Sequence, residues 1–257
     1  PVFFKIAAAI SQDQTAAAIL KNTGLGNSII SLEIKQILSG DPKTNSTIRD
    51  MPVYQAYDVL KTPGLSLVLP VLHSVKNVDQ TTVELNGLAV FKEDKLVGYL
   101  TPEESSLYLF TVDQIKGGVF SININDSSRE TMSLEILKSR TERSYTIKNN
   151  KITVKLKIDT DVAVDEAETN LKLSNQAGLE KVQNFANHAL AQGITSVVNK
   201  VQTDYSSDIF GFGDMIHRKD YQTWRHFKGN WDQTMKNVEV QVEPKFIITN
   251  TFSTKKL

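Results

Sequence analysis

The chain has 257 residues, with 29 Lys plus Arg, 29 Asp plus Glu and no cysteine. Its length allows one large or two ordinary domains, its zero net charge argues against a polyanion binder, and the lack of cysteine rules out a disulfide framework or thiolate metal site within it. No apolar run approaches the ~20 residues that a membrane-spanning helix needs, and the sequence carries no signal peptide.

Val2 to Ala8 is short and apolar and reads as a strand. Ser11-Gln12-Asp13-Gln14 has the spacing of a capping box, with a helix following through Ala16 to Leu20 and stopping at Asn22-Thr23-Gly24. Ser28 to Leu38 reads as a second helix with Ile30, Ile34, Ile37 and Leu38 on one face. Gly40-Asp41-Pro42 ends it, and Lys43 to Asp50 is a polar loop. Pro52 to Lys61 is a third short helix, closed by Thr62-Pro63-Gly64. Leu65 to Leu72 is a strand in which Pro70 calls for an edge or an end. Near Val75 the pattern changes from helical to alternating. The expected domains are therefore 1–75, a smaller mixed helix/strand segment, and 76–257, a C-terminal α+β domain.

Val83 to Phe91 and Leu96 to Leu100 flank the polar turn Lys92-Glu93-Asp94-Lys95, which predicts a hairpin. Thr101-Pro102-Glu103-Glu104 predicts a helix start, running to about Thr111 before Lys116-Gly117-Gly118 breaks it. Val119 to Asn125 and Thr131 to Ile147 read as strands, joined by Asp126-Ser127-Ser128. After the turn Lys148–Lys151, Ile152, Val154, Leu156 and Ile158 alternate with polar residues, and Ala163 to Leu173 continues or pairs with that strand. Val182, Phe185, Ala186, Ala189, Val197, Val198 and Val201 form one stripe of a long helix starting near Ser174. The elbow Ser207-Asp208-Ile209-Phe210-Gly211-Phe212-Gly213 leads into a second helix with Ile216, Trp224, Phe227 and Trp231 as core anchors. Val238 to Phe252 keeps one parity in a last strand. The predicted class is α+β, a mostly antiparallel sheet with the long helix packed on its apolar face.

Catalytic and metal patterns are incomplete. His217, Asp214 and His226, with Ser206 and Ser207 upstream, supply the residue types of a hydrolase triad but no G-x-S-x-G. His217 and His226 are also off metal-ligand spacing. Asp159, Asp161, Asp165, Glu166 and Glu168 are acidic, but Ala163 and Val164 stand where a calcium loop needs an acid or amide and a glycine. Gly211-Phe212-Gly213 and Gly24-Leu25-Gly26 lack the third glycine of a dinucleotide fingerprint, with Ile216 and Ile29 in its place. Arg218, Lys219, Arg225, Lys228 and Lys236 interleave with Tyr221, Trp224 and Trp231, a pattern open to nucleic acid or anionic lipid. The segment from Asp214 to Lys236 holds five basic and three acidic side chains, which favours a core with a solvated charged rim. The residues themselves assign no catalytic, cofactor, metal or ligand-binding position.

The helix, the D-I-F-G-F-G elbow, the Arg218-Lys219 run and the two tryptophans resemble the C-terminal part of the Ger(x)C family, the lipoprotein C subunits of bacterial spore germinant receptors. Asn86 to Gly98, Ile115-Lys116-Gly117-Gly118-Val119 and Leu134-Glu135-Ile136 with Lys138-Ser139 resemble its other stretches in the same order. Tyr221-Gln222 departs from the Tyr-Pro often found there, which affects a helix start. The resemblance implies a three-domain α+β protein without catalytic activity or cofactor. It implies a lipid anchor on the outer face of the spore inner membrane and membrane-embedded A and B subunits as partners, with no nucleic acid. The chain opens at Pro1, and the family's signal peptide and lipidated cysteine are expected on an absent upstream part. Two other readings stay open: a solute-binding lipoprotein with a small germinant between domains, and a hydrolase built on His217 or His226.

Overall fold

The alternating runs become two four-stranded sheets in the computed structural model, which describes residues 6–12, 15–21, 30–38, 51–76, 81–124, 130–168, 173 and 175–251. In chain order the elements are β1 (Ile10–Ser11), α1 (Ala16–Leu20), α2 (Ile30–Leu38), α3 (Val53–Lys61), β2 (Val68–Lys76), β3 (Thr81–Lys92), β4 (Lys95–Leu100) and α4 (Pro102–Thr111). They continue with β5 (Val119–Asn123), β6 (Thr131–Lys148), β7 (Lys151–Glu168), α5 (Gln176–Lys200), α6 (Phe212–Lys219), α7 (Tyr221–Phe227), α8 (Trp231–Met235) and β8 (Glu239–Thr251). A π-helical turn, Val201–Tyr205, extends α5. By compactness the described residues form two units. One holds residues up to Ser106 together with Asn199–Val238, and the other holds Leu107–Val198 and the residues from Glu239 onward. Compactness thus divides the chain elsewhere than the change of pattern near Val75, which falls inside β2.

In the first unit β1 runs parallel to β2, and β2–β3 and β3–β4 are antiparallel. Ile19 of α1 and Ile30 of α2 join Leu72 and Val83 in one apolar cluster. Ala56 of α3 joins Leu67 and Leu69 in another, with Val59 and Phe91 packed against it. The helix start at Thr101 is a reciprocal capping box: Glu104 N–H donates to Thr101 Oγ1 at 3.2 Å, and Thr101 N–H to Glu104 Oε2 at 2.9 Å. The N-cap of α1 is Thr15, four residues after the predicted cap Ser11, and Asp13, Gln14 and Asn22 to Gly24 lie outside the described residues. Val2 to Lys5, Gly40 to Asp50 and Asp126 to Ser128 lie outside them too.

In the second unit β5–β6–β7 is antiparallel and β7–β8 parallel. The sheets are therefore mostly antiparallel, as expected. The parallel closure follows from the connection, because α5 to α8 all lie between β7 and β8 and parallel neighbours need a long crossover. The β6–β7 turn has Asn149 at φ 50° and Asn150 at φ 60°, which suits the short amide side chains of a two-residue hairpin. The buried stripe of α5 is Gly178, Val182, Ala186, Leu190, Ile194, Val197 and Val198. Phe185 is a correction: it points to solvent, while Leu190 and Ile194 complete the stripe. Phe120 stacks on Phe246 at 5.4 Å and meets Phe110 edge-on at 6.1 Å, and these rings help fill the core.

Of the acidic positions of β7, Asp159 falls into a row of alternating charge. Arg140–Asp159–Lys245 and Glu142–Lys157–Glu243 are rows of three across β6, β7 and β8, so neighbouring charges alternate in sign. Lys155 Nζ also lies 2.6 Å from Glu243 and Lys151 Nζ 3.1 Å from Glu239. This face is a solvated, self-complementary charge ladder.

Candidate functional site: the aromatic elbow and its cleft

The first unit carries the elbow. Ser206, at φ 48°, ends the π-helical turn in a left-handed conformation. Gln202 inside that turn is buried and donates its amide to Met235 O at 2.9 Å and Val238 O at 2.8 Å. Asp208 is 3% exposed, and its carboxylate accepts from Phe212 N–H at 3.1 Å, Gly213 N–H at 2.8 Å and Trp231 Nε1–H at 3.1 Å. The first two donors open α6, where Gly211 has no side chain to cap them. The third donor of that helix, Asp214 N–H, goes to Gly64 O at 2.9 Å. Negative charge at a helix start is favourable, and here it also satisfies a buried indole.

The chain after α3 is pinned to this knot. Ser66 N–H donates to Asp208 O at 2.8 Å, and Asp208 N–H to Ser66 Oγ at 3.1 Å. A Cβ on Gly64, which has φ 69°, would lie 2.6 Å from Gly213 Cα, and one on Gly213 would lie 2.7 Å from the Trp231 ring. Both glycines are therefore required by close backbone approach. Beside the knot opens a cleft of about 530 Å³, lined by α3, the segment from Thr62 to Leu67, the turn Lys92-Glu93-Asp94, and Asp208, Trp231 and Asp232.

The predicted triad residues do not converge. Ser207 Oγ donates to Phe91 O at 2.7 Å. Asp214 is held by Arg218, which grips it with two nitrogens, and that hydrogen bond and charge raise the guanidinium's pKa. His217 packs against Tyr221 and Trp224, with centroids 5.7 and 5.8 Å away, and His226 is exposed. Among the described residues no three His, Cys, Asp or Glu side chains group to hold a metal ion. Trp224 and Trp231 are buried against each other at 5.2 Å, so they are core and not a stacking platform. Where one helix was expected after the elbow there are α6, α7 and α8. Asp220 closes α6 and caps α7 through Thr223 N–H at 3.0 Å, so α7 starts at Tyr221 without the family's proline. Gly24 to Gly26 lie outside the described residues.

Sequence reasoning missed the outer face of α3. The signal was present, because six of its nine residues are apolar, more than a single buried stripe uses.

A family model described as "Spore germination B3/ GerAC like, C-terminal" matches residues 86–252. Spore germination protein B3 of Bacillus subtilis (strain 168) is 24% identical over 182 residues, covering 70% of this chain and 48% of that protein. Spore germination protein GerQC of Bacillus cereus is 21% identical over 184 residues, covering 71% and 49%. The crystal structure of the GerBC protein superposes with a TM-score of 0.76 at 20% identity, over 95% of this chain and 68% of that one, and so shares the fold. The chain spans about half the length of the curated relatives it matches. The chain belongs to the spore germination family of the B3/GerAC type, whose C-terminal region it contains.

Proposed function

We propose that the chain is part of a non-enzymatic, extracytoplasmic lipoprotein subunit of a nutrient germinant receptor. It supports spore germination by contact with membrane-embedded A and B subunits, and a lipid at the N-terminus of the full-length protein holds it on the outer face of the spore inner membrane. The observation that carries this reading is the family match over residues 86–252. A further support is that the elbow's Ser207, Asp208 and Asp214 are all engaged in holding the fold. On this reading 76–257 is the C-terminal domain, and 1–75 belongs to the N-terminal or middle domain and supplies most of β2.

The test is the mass of the N-terminal peptide of the native protein from spore membranes. A diacylglyceryl cysteine is expected, and an unlipidated protein in the soluble fraction would overturn the membrane part of the reading. Calorimetry of the chain against a germinant panel addresses the solute-binding alternative, which a micromolar heat signal would favour.

A further inference from the structure

Asn86-Gly87 is the one Asn-Gly pair in the chain, and the fold fixes its second residue. Along β3, Leu85 pairs with Leu72 and Leu88 with Pro70, so Asn86 and Gly87 together face Val71. Two residues against one make a β-bulge. Gly87 sits at φ 84°, and a Cβ on it would lie 2.0 Å from Leu100 O. Glycine alone suits both that backbone angle and that close approach.

The glycine that shapes the bulge also leaves Asn86 chemically exposed. A backbone nitrogen that follows Asn can attack the side-chain amide, and glycine places no side chain beside that nitrogen. Attack requires the Asn side chain to swing over the Gly87 nitrogen. In the fold it is held: Asn86 Nδ2 donates to Gln12 Oε1 at 2.9 Å, in a part-buried setting. Gln12 is held in turn, because its N–H donates to Leu72 O at 3.0 Å. It follows directly on β1, a strand of two residues that are only half-buried, whereas Val71 and Leu88 behind it belong to the core. A segment with so few ladder bonds and so little buried surface opens at lower free energy than the β2–β3 pair it rests on. The restraint on Asn86 is therefore weaker than the bulge that needs Gly87.

We infer that Asn86 is a deamidation site and that Gln12 gates it. When Gln12 lets go, the Gly87 nitrogen loses its proton and bonds to Asn86 Cγ. The Cγ–Nδ2 bond breaks, ammonia leaves and a succinimide remains. Water then opens one of the two imide C–N bonds. One product is an aspartate at position 86; the other is an isoaspartyl link that routes the main chain through Cγ. The aspartate sets a carboxylate against Gln12, whose amide turns to donate. The isoaspartyl link lengthens β3 by one backbone atom where it is paired with β2 on one side and β4 on the other, which strains both registers.

The test incubates the purified chain in mildly alkaline buffer and follows Asn86 by peptide mass spectrometry. Labelling with an isoaspartate methyltransferase counts the isomeric product. The folded chain, the chain unfolded in urea, Gln12→Ala and Gln12→Glu are compared, with circular dichroism to verify folding. Deamidation at Asn86 is expected in the folded chain, more slowly than in urea. Gln12→Ala is expected to speed it about fivefold, the factor that one ordinary hydrogen bond represents. Gln12→Glu keeps the acceptor and is expected to stay near the unaltered rate. Gln12→Leu, closer in size, takes the place of the alanine variant if that variant does not fold. Equal rates in the folded and unfolded chain, an unchanged rate without the Gln12 acceptor, a Gln12→Glu rate as fast as that of Gln12→Ala, or no conversion of Asn86 in the folded chain overturns the inference.

Discussion

Asn187 on α5 accepts the backbone N–H of Phe246 on the edge strand β8, with Oδ1 2.8 Å from the nitrogen. One turn earlier, Gln183 Oε1 accepts from Ile248 N–H at 3.0 Å. Pro244 shares their parity and has no N–H to offer. The edge of the second sheet is thus closed by two carboxamides and a proline, which blocks strand addition.

Asn187→Leu is therefore expected to cost about 1–3 kcal/mol, the penalty for leaving a partly buried N–H unmade. Asn187→Asp, which keeps the acceptor, should cost less. Urea titration measures both, and light scattering should show concentration-dependent association for Asn187→Leu with Gln183→Leu.

Asp208 carries the largest expected single effect in the elbow. Asp208→Ala strands three donors and should destabilise by about 3 kcal/mol or more. Trp231→Phe keeps most of the ring volume and loses one bond, so about 1 kcal/mol is expected, plus a packing contribution. Equal losses for the two variants would contradict the assignment of Asp208 as the hub.

The glycines give a paired test. Gly213→Ala and Gly64→Ala each force backbone apart, and Gly64 also has φ 69°, so losses of about 2 kcal/mol or more are expected. Gly229 has nothing within 4 Å of an added Cβ, and Gly229→Ala should be neutral or slightly stabilising. Thermal melts of the three variants separate close approach from general sensitivity to glycine loss.

Lys200 governs the alkaline side. Burial pulls its pKa down, but the hydrogen bond and charge of Glu104, at 2.7 Å, outweigh that together with Tyr205, and the pKa is raised. A raised lysine pKa contributes stability that is fully present below the ordinary value, about 10.4, and is lost as pH rises through the folded value. Lys200→Met should flatten that alkaline loss. Asp220 and Glu239 are shifted down, Asp220 first by the Thr223 hydroxyl and Glu239 first by the Gln241 amide. Their contributions are present above the ordinary carboxylate range and are lost as pH falls below it. Denaturant midpoints across pH check both limbs.

Local periodicity carried much of the fold. The Thr101 capping box, the hairpin turn at Glu93-Asp94 and the long helix are written in residues close in sequence, where spacing alone sets geometry. The bond from Trp231 to Asp208 spans 23 residues, and no spacing in D-I-F-G-F-G announces that its acid caps a helix four residues on. Phe185 was misplaced for a related reason: a helical stripe about two residues wide admits several apolar registers, and only packing against the sheet selects among them. The parallel pairing of β8 depends on the crossover path, which alternation along one strand does not encode.

The most direct test of the central claim is immunoprecipitation of the full-length protein from detergent-solubilised spore inner membranes. The account predicts that the membrane-embedded receptor subunits come with it. Recovery of the protein alone, under conditions that keep those subunits together, would contradict it.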